Sequence, residues 1–177
     1  KRAMSQRNLI LKYKKPVVSL SMNIAGEIKM SPLIYFAFCE AVENIEQRFN
    51  TPFLYKNLIK DKTGPEALYV FDSDAGVLKK KSIEIEIANP IGRLFDIDII
   101  DLNGEKLSRS HGRTCIVCGG PVTVCSRSRA HGLDAVKMAT QTLLLNYASQ
   151  KLADLAVTSL IQEAELSPKP GLVDSLN

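Results

Sequence analysis

The sequence has no long apolar run and only a small excess of one charge. Its apolar residues make up 45% of 177, as in a globular protein, and no apolar segment approaches the length of a membrane span. The net charge of +4 is too small by itself to indicate a nucleic-acid binder. We therefore expect a globular domain with its own core, and neither a membrane nor a nucleic acid as partner.

The first fifteen residues also lack a secretory signal. They read KRAMSQRNLILKYKK, and no small-residue cleavage site follows an apolar segment. A cytoplasmic location is therefore expected. The chain starts with Lys rather than Met, so we also expect further residues upstream.

Three segments have the two-residue periodicity of strands. Residues 17–22 (VVSLSM) alternate apolar and polar side chains, which predicts a half-buried strand. Residues 82–88 (SIEIEIA) alternate more regularly and predict a strand with isoleucines on one face and Glu84 and Glu86 on the other. Residues 94–100 (LFDIDII) predict a third strand.

Two regions have the spacing of helices. Ser31 as a cap and Pro32 at the first helical position predict a helix that contains Cys39, for which we expect core packing. Residues 131–165 keep helical spacing throughout and predict one long helix or two shorter ones. The predicted fold class is α+β, a mixed or antiparallel sheet with flanking helices and a helical C-terminal extension.

Two carboxylates stand out in the third predicted strand. Asp96 and Asp98 are two residues apart, so both project from one face, about 7 Å from each other. Such a pair needs a cation or a proton, and Mg²⁺ together with substrate phosphate suits it. Gly92 and Arg93 lie just upstream, where backbone amides and a guanidinium can bind phosphate. This arrangement is typical of nucleotidyl-transfer sites, so we predict a nucleotidyltransferase-like fold.

Glu86 is a candidate third carboxylate at this site. It would join Asp96 and Asp98 if the strands predicted at 82–88 and 94–100 pair with each other. The alternative is that both aspartates form only the solvated face of a half-exposed sheet, and their spacing alone does not separate the two interpretations.

A second chemically distinctive group consists of Cys115, Cys118, Cys125 and His131. The pattern C-x2-C-x6-C-x5-H has the residue types and short spacings of a structural Cys3His zinc site. The alternative is three reduced cysteines packed in a small core, with a histidine that binds phosphate. A disulfide framework is not expected because the secretory signal is missing.

A run of basic side chains surrounds the cysteines. It predicts a polyphosphate-binding surface opposite the acidic strand, or alternatively a solvated loop. The run consists of Arg109, His111, Arg113, Arg127, Arg129 and His131.

Three segments together resemble a known enzyme family. They are residues 19–31 (SLSMNIAGEIKMS), 83–109 (IEIEIANPIGRLFDIDIIDLNGEKLSR) and 113–133 (RTCIVCGGPVTVCSRSRAHGL). Over residues 2–148 the chain resembles the apo-citrate lyase phosphoribosyl-dephospho-CoA transferases, the CitX family. The family pattern has Trp where this chain has Phe95, an aromatic exchange that we expect to be harmless.

The resemblance implies a reaction. The family transfers 2′-(5″-triphosphoribosyl)-3′-dephospho-CoA to a serine of the acyl carrier (gamma) subunit of citrate lyase and releases pyrophosphate. The nucleophile then belongs to the partner, in keeping with the lack of a Ser/His/Asp or Cys/His constellation here. Asp96 and Asp98 would hold Mg²⁺, and Arg93 with the arginines of the basic run would bind the triphosphate.

A second resemblance begins near Leu152. Residues 152–177 are similar to the opening of triphosphoribosyl-dephospho-CoA synthase (CitG), and residues 168–174 (PKPGLVD) are its distinctive part. We therefore expect a transferase domain at 1–150 and a truncated synthase segment at 151–177, from a natural fusion of the two enzymes.

Two other functions remain open. The Cys/His group and the arginines would also suit a zinc-stabilised nucleic-acid-binding module, which predicts salt-sensitive binding to DNA or RNA. A scaffold that only binds the carrier protein would show binding without turnover.

Overall fold

A four-stranded antiparallel sheet organises the part of the chain that the computed structural model describes, residues 2–109 and 112–166. The strand order is β2–β3–β1–β4. In chain order the elements are α1 (Arg2–Tyr13), β1 (Val17–Met22), α2 (Pro32–Phe49), β2 (Phe53–Asp61), β3 (Gly64–Phe71), α3 (Ala75–Ala88), a 3₁₀ turn (Gly92–Leu94), β4 (Phe95–Ile100), α4 (Val122–Ser128) and α5 (Leu133–Leu166). The predicted α+β class is confirmed, with the antiparallel form of the sheet. The similarity to nucleotidyltransferases stays a prediction.

The strand predicted at residues 17–22 is β1, and it lies at the centre of the core. Val17, Val18 and Leu20 are fully buried because β1 pairs with β3 on one side and β4 on the other. One face of the sheet packs against α2, α3 and α5, and the opposite face packs against α1. Both faces of β1 are therefore covered, and the strand is more deeply buried than the half-buried strand that was predicted.

Helix α2 begins where the sequence predicts. The Ser31 hydroxyl accepts a hydrogen bond from the Ile34 N–H, and Pro32 occupies the first turn. The buried face of the helix consists of Ile34, Ala37, Phe38, Ala41, Ile45 and Phe49. Cys39 lies outside this stripe and is exposed, so the predicted core packing of its side chain is wrong.

The strand predicted at residues 82–88 is wrong, because this segment belongs to α3. Asp74 caps the helix by accepting hydrogen bonds from the Gly76 and Val77 N–H groups. Leu78, Ser82 and Ile85 are buried at helical spacing, whereas a strand would have buried Ile83, Ile85 and Ile87 together. The Ile/Glu alternation therefore occurs in a helix although it has the period of a strand. The local signal for the helix was Asp74, its N-terminal cap.

The exposure of two isoleucines distinguishes the helix α3 from the strand predicted at residues 82–88. Ile85 is fully buried and Ile87 is 76% exposed. We expect Ile85→Ala to lower the free energy of unfolding by about 2–5 kcal/mol because it leaves a cavity in the core. Ile87→Ala should change it by less than about 0.5 kcal/mol. Urea denaturation measures both, and equal losses would contradict the helical arrangement.

Helix α5 confirms that residues 131–165 are largely helical, as one continuous helix. Leu144, in its first half, is buried against the core, whereas Leu152 and Leu155 are exposed. The predicted boundary between residues 150 and 151 falls inside this helix, and the division into two domains stays a prediction. Residues 168–174, the distinctive part of the synthase resemblance, lie outside the described residues. No helix in the described part is both long and apolar enough to cross a membrane.

Candidate functional site

A cleft of about 550 Å³ opens between α3 and the segment that follows β4. Three of the predicted binding arginines line it, namely Arg93, Arg109 and Arg113. Glu86 and Gly92 line it as well. Three guanidiniums around one cleft favour the binding of an anion with several oxygens, such as a polyphosphate.

Glu86 organises two of these arginines. Its side chain is only 4% exposed and accepts hydrogen bonds from Arg109, from Arg113 Nη2 at 3.0 Å and from the Ile97 N–H at 3.2 Å. Burial raises the pKa of the Glu86 carboxyl, while the two guanidiniums and the amide act in the opposite direction. Glu86 was predicted on a strand paired with β4, but it lies on helix α3 and contacts β4 from there. Its carboxylate holds Arg109 and Arg113 in the cleft.

Arg113 connects the cleft to the carboxylate pair. Its Nη2 donates to Glu86 Oε1 and also to Asp96 Oδ1, at 3.2 Å. Because β4 is an edge strand of the sheet, the side chain of Arg113 can contact acidic groups from α3 and from β4 at once. The structure therefore brings Glu86, Asp96 and Arg113 together.

Arg93 presents a donor that has no hydrogen-bond partner among the described residues. Its Nε donates to the Thr114 carbonyl oxygen at 2.6 Å, while its Nη1 is buried and makes no hydrogen bond within the described residues. Burial lowers the pKa of Arg93 from its usual value. A buried donor without a partner is uncommon, and in an arginine-lined cleft it suits a phosphate oxygen.

Gly92 is a glycine for a reason of packing. A Cβ at this position would lie 2.3 Å from the carbonyl oxygen of Glu86, so no larger residue fits without a backbone shift. The glycine thereby lets the 3₁₀ turn approach the end of α3 closely. Its predicted contact with phosphate stays a prediction.

Asp96 and Asp98 project from the same face of β4, as predicted, and this is the face that packs against α1. Both side chains are partly exposed, 35% and 23%. Asp98 Oδ1 lies 2.6 Å from Lys106 Nζ, so each aspartate is paired with a basic side chain of the protein. Basic side chains of the protein therefore compensate the charges of both aspartates, and the choice between a functional face and a solvated one stays open.

Glu66 is a third carboxylate on this face, and no pattern in the sequence pointed to it. Glu66 on β3 and Asp96 on β4 both lie opposite Ser21 of β1, so all three side chains share one face of the sheet. Arg2 of α1 donates to Glu66. Only the pairing register places Glu66 here, and residues thirty apart in sequence carry no local signal of register.

Magnesium binding by Asp96 and Asp98 stays a prediction. They offer carboxylate oxygens from one face and remain partly accessible. Within residues 2–109 and 112–166 no third acidic, cysteine or histidine side chain forms a metal-binding group with them. Mg²⁺ commonly takes one or two protein carboxylates, with phosphate oxygens and water as its other ligands.

The predicted Cys3His group is brought together by the fold. One ligand atom from each of Cys115, Cys118, Cys125 and His131 lies within 4.8 Å of all the others. Only Cys115 is buried, which argues against three cysteines that merely pack in a core. His131 Nε2 is buried and has no hydrogen-bond partner in the described part of the chain. These four residues could hold a metal ion.

A tight hairpin brings the first two cysteines together. The Cys115 N–H donates to the Gly120 carbonyl, and the Gly119 N–H donates to the Cys115 carbonyl. Gly119 has a φ of +72°, a left-handed conformation that favours glycine. Hydrogen bonds from the backbone N–H groups of Cys118 and Val117 lower the pKa of Cys115. A hydrogen bond with Cys118 raises the pKa of Cys125, on α4, to about 11.

The remaining basic residues lie elsewhere. Arg127 on α4 and Arg129 at its end are exposed and do not line the cleft. His131 belongs to the cysteine group instead of the cleft lining. His111 lies outside the described residues. Binding of the triphosphate by Arg127 and Arg129 stays a prediction.

Comparison with known proteins identifies the family. The family model for apo-citrate lyase phosphoribosyl-dephospho-CoA transferase, CitX, matches residues 1–147. The chain belongs to this family. The match covers the whole sheet, the arginine cleft and the Cys/His group, and it favours a transferase over a nucleic-acid-binding module.

Individual relatives agree with this family and extend the comparison. The CitXG protein of Haemophilus influenzae is 35% identical over 184 aligned residues, which cover 99% of this chain and 40% of that protein. A Vibrio cholerae protein named "Probable apo-citrate lyase phosphoribosyl-dephospho-CoA transferase" is 30% identical over 155 residues, 83% of this chain and 87% of its own length. The CitXG protein of Leuconostoc mesenteroides is 27% identical over 187 residues, 96% of this chain and 40% of its own length. The chain thus spans two fifths of the CitXG proteins, and a synthase part is partial at best.

Proposed function

We propose that this chain attaches the phosphoribosyl-dephospho-CoA prosthetic group to the acyl carrier (gamma) subunit of apo-citrate lyase. The donor is 2′-(5″-triphosphoribosyl)-3′-dephospho-CoA and the acceptor is a serine hydroxyl of the carrier. The observation that carries the proposal is the family match over residues 1–147. A cytoplasmic location belongs to the same proposal and is supported by the metabolic role of citrate lyase.

The proposed reaction forms one bond and breaks one. The serine Oγ forms a bond to the phosphorus next to the ribose, while the bond from that phosphorus to the bridging oxygen of the pyrophosphate breaks. The electron pair leaves with pyrophosphate, and the serine proton passes to a base or to water. Negative charge accumulates on the leaving group, so its stabilisation by positioned cations is the main demand on the enzyme.

The arginine cleft meets that demand. We propose that Arg93, Arg109 and Arg113 bind the triphosphate, since they line one cleft and Arg93 Nη1 is a buried donor without an acceptor in residues 2–109 and 112–166. Glu86 was predicted to act at the reacting groups. Its contacts with Arg109 and Arg113 support a role in positioning these two guanidiniums.

Two metals are part of the proposal. Mg²⁺ at Asp96 and Asp98 would add charge neutralisation for the triphosphate. Asp96 contacts Arg113, a residue of the cleft, and this contact supports the placement. For the Cys/His group we propose Zn²⁺, because three thiolates and one imidazole are the donor set of structural zinc sites.

A labelling assay tests the proposed function. Incubation of the chain with the triphosphoribosyl donor, Mg²⁺ and the apo carrier should raise the carrier mass by the phosphoribosyl-dephospho-CoA group and release one pyrophosphate per label. Mass spectrometry and a pyrophosphate assay measure the two products.

Two controls define the outcome. A carrier whose acceptor serine is replaced by alanine should remain unlabelled, and a donor without its two terminal phosphates should not react. Binding of the carrier without labelling would instead support a scaffold, and salt-sensitive binding to DNA or RNA would support the nucleic-acid module.

A further inference from the structure

The segment that carries Arg113 has almost no core of its own. Between residues 112 and 132 only Cys115 is buried, and α4 has no buried residue. Ordering a segment of this length costs backbone entropy at every residue, and apolar burial here is too small to offset that cost. A cross-link within the segment would therefore stabilise its conformation.

The Cys/His group lies where such a cross-link would act. Cys115 and Cys118 come from the hairpin, Cys125 from α4, and His131 from the residues just before α5. One ion bound by all four would tie the hairpin, α4 and the start of α5 to a single point.

The distance between two of the sulfurs suits two ligands of one metal better than a disulfide. Cys118 Sγ and Cys125 Sγ are 3.5 Å apart. Two thiolates on one tetrahedral zinc are separated by about 3.8 Å, given a Zn–S distance of about 2.3 Å. A disulfide would need about 2.05 Å.

The cross-linked segment also determines the position of the cleft arginines. Arg113 lies two residues before Cys115, and its carbonyl oxygen accepts the Val122 N–H at the start of α4. The neighbouring Thr114 carbonyl holds Arg93 Nε. The hairpin closed by the Cys/His group thus contacts two of the three arginines of the cleft.

We infer that one Zn²⁺ bound by Cys115, Cys118, Cys125 and His131 orders residues 112–132 and thereby positions Arg113 in the anion cleft. The ion is structural, since four protein ligands leave no position open for a substrate. The ordering of the segment is independent of the reaction, whereas its effect on anion binding rests on the function proposed above.

Metal content and ligand variants test the site itself. The purified chain should contain about one zinc per molecule by elemental analysis. Cys118→Ser and His131→Ala should lose most of it, with affinity for Zn²⁺ reduced at least about tenfold. His131→Cys should retain the metal because four cysteines also bind zinc tetrahedrally. Cys39→Ser is the matched control, since Cys39 is exposed on α2 and outside the group.

Hydrogen exchange and anion binding test the positioning role. After chelation, the amides of residues 112–132 should exchange at least about tenfold faster while those of β1 and β3 are unchanged. Inorganic pyrophosphate should bind at least about tenfold more weakly to the zinc-free chain, and added Zn²⁺ should restore both properties. A zinc-free chain with unchanged exchange and unchanged affinity overturns the inference, as does a Cys118–Cys125 disulfide in place of the metal.

The outcomes separate this inference from the proposed function. Metal-dependent protection of residues 112–132 in a chain that never labels the carrier would support the zinc site and reject the transferase. Full labelling by a zinc-free chain would support the transferase and reject the role of the zinc in positioning Arg113.

Discussion

Replacement of Asp96 or Asp98 by asparagine is expected to lower the rate of carrier labelling by about 100-fold or more. Each change removes a negative charge from the proposed magnesium site, where a metal contributes several kcal/mol to the transition state and each 1.4 kcal/mol corresponds to a tenfold change in rate. The fold should survive. The Asp98–Lys106 pair is partly exposed, and pairs of this kind contribute about 0–1 kcal/mol.

The dependence on Mg²⁺ concentration distinguishes a metal ligand from a merely structural carboxylate. If the aspartates bind the ion, the variants should need more Mg²⁺ for half-maximal labelling. Asp154→Asn serves as the control, because Asp154 is exposed on α5 and should leave both rate and Mg²⁺ dependence unchanged. Full activity in both variants would remove the magnesium site. A lower rate with unchanged Mg²⁺ dependence would instead assign Asp96 to the positioning of Arg113.

The second large effect is expected for Arg113→Lys, which should weaken pyrophosphate binding and slow labelling by about 10–100-fold. Arg113 Nη2 contacts Glu86 and Asp96 at once, and a guanidinium can keep these contacts while its other N–H groups bind phosphate. Lysine keeps the charge but loses the planar array of donors. Hydrogen bonds to charged groups contribute about 1.5–3 kcal/mol each, which sets the expected range.

Calorimetric titration with pyrophosphate measures this effect without the carrier or the donor. Arg48→Lys is the matched control, because Arg48 lies exposed in the last turn of α2. Unchanged affinity in Arg113→Lys would place the triphosphate outside the cleft. Arg127→Lys tests the prediction from the sequence that this exposed arginine also binds the substrate, since a matching loss of affinity would extend the binding surface to α4.

Local patterns determined several parts of the fold and of the candidate site. The alternation of 94–100 predicted a strand with Asp96 and Asp98 on one face, and Ser31 before Pro32 predicted the start of α2. The Cys/His spacing predicted a group that the structure assembles. These features depend on contacts between residues a few positions apart, and such contacts follow from the strand period, the helix cap and short turns.

Contacts between distant segments decided the rest. The alternation at 82–88 suits a strand, but the burial of Leu78, Ser82 and Ile85, at helical spacing, selects a helix. That helix buries Glu86 beside β4. Arg109 and Arg113, which lie in the segment after β4, form ion pairs with Glu86 there.

The carboxylate pair illustrates the same division. From the sequence, Asp96 and Asp98 share a face, but their spacing leaves open whether that face is functional. The structure pairs Asp96 with Arg113 at the edge of an arginine cleft and places Glu66 on the same face through the register of β3, β1 and β4. The sequence thus determined which side chains are available and that Asp96 and Asp98 project to the same side of their strand, because the second point depends only on the two-residue period of a strand. Only the tertiary structure decided the partners, because burial and strand register join residues that no local pattern connects.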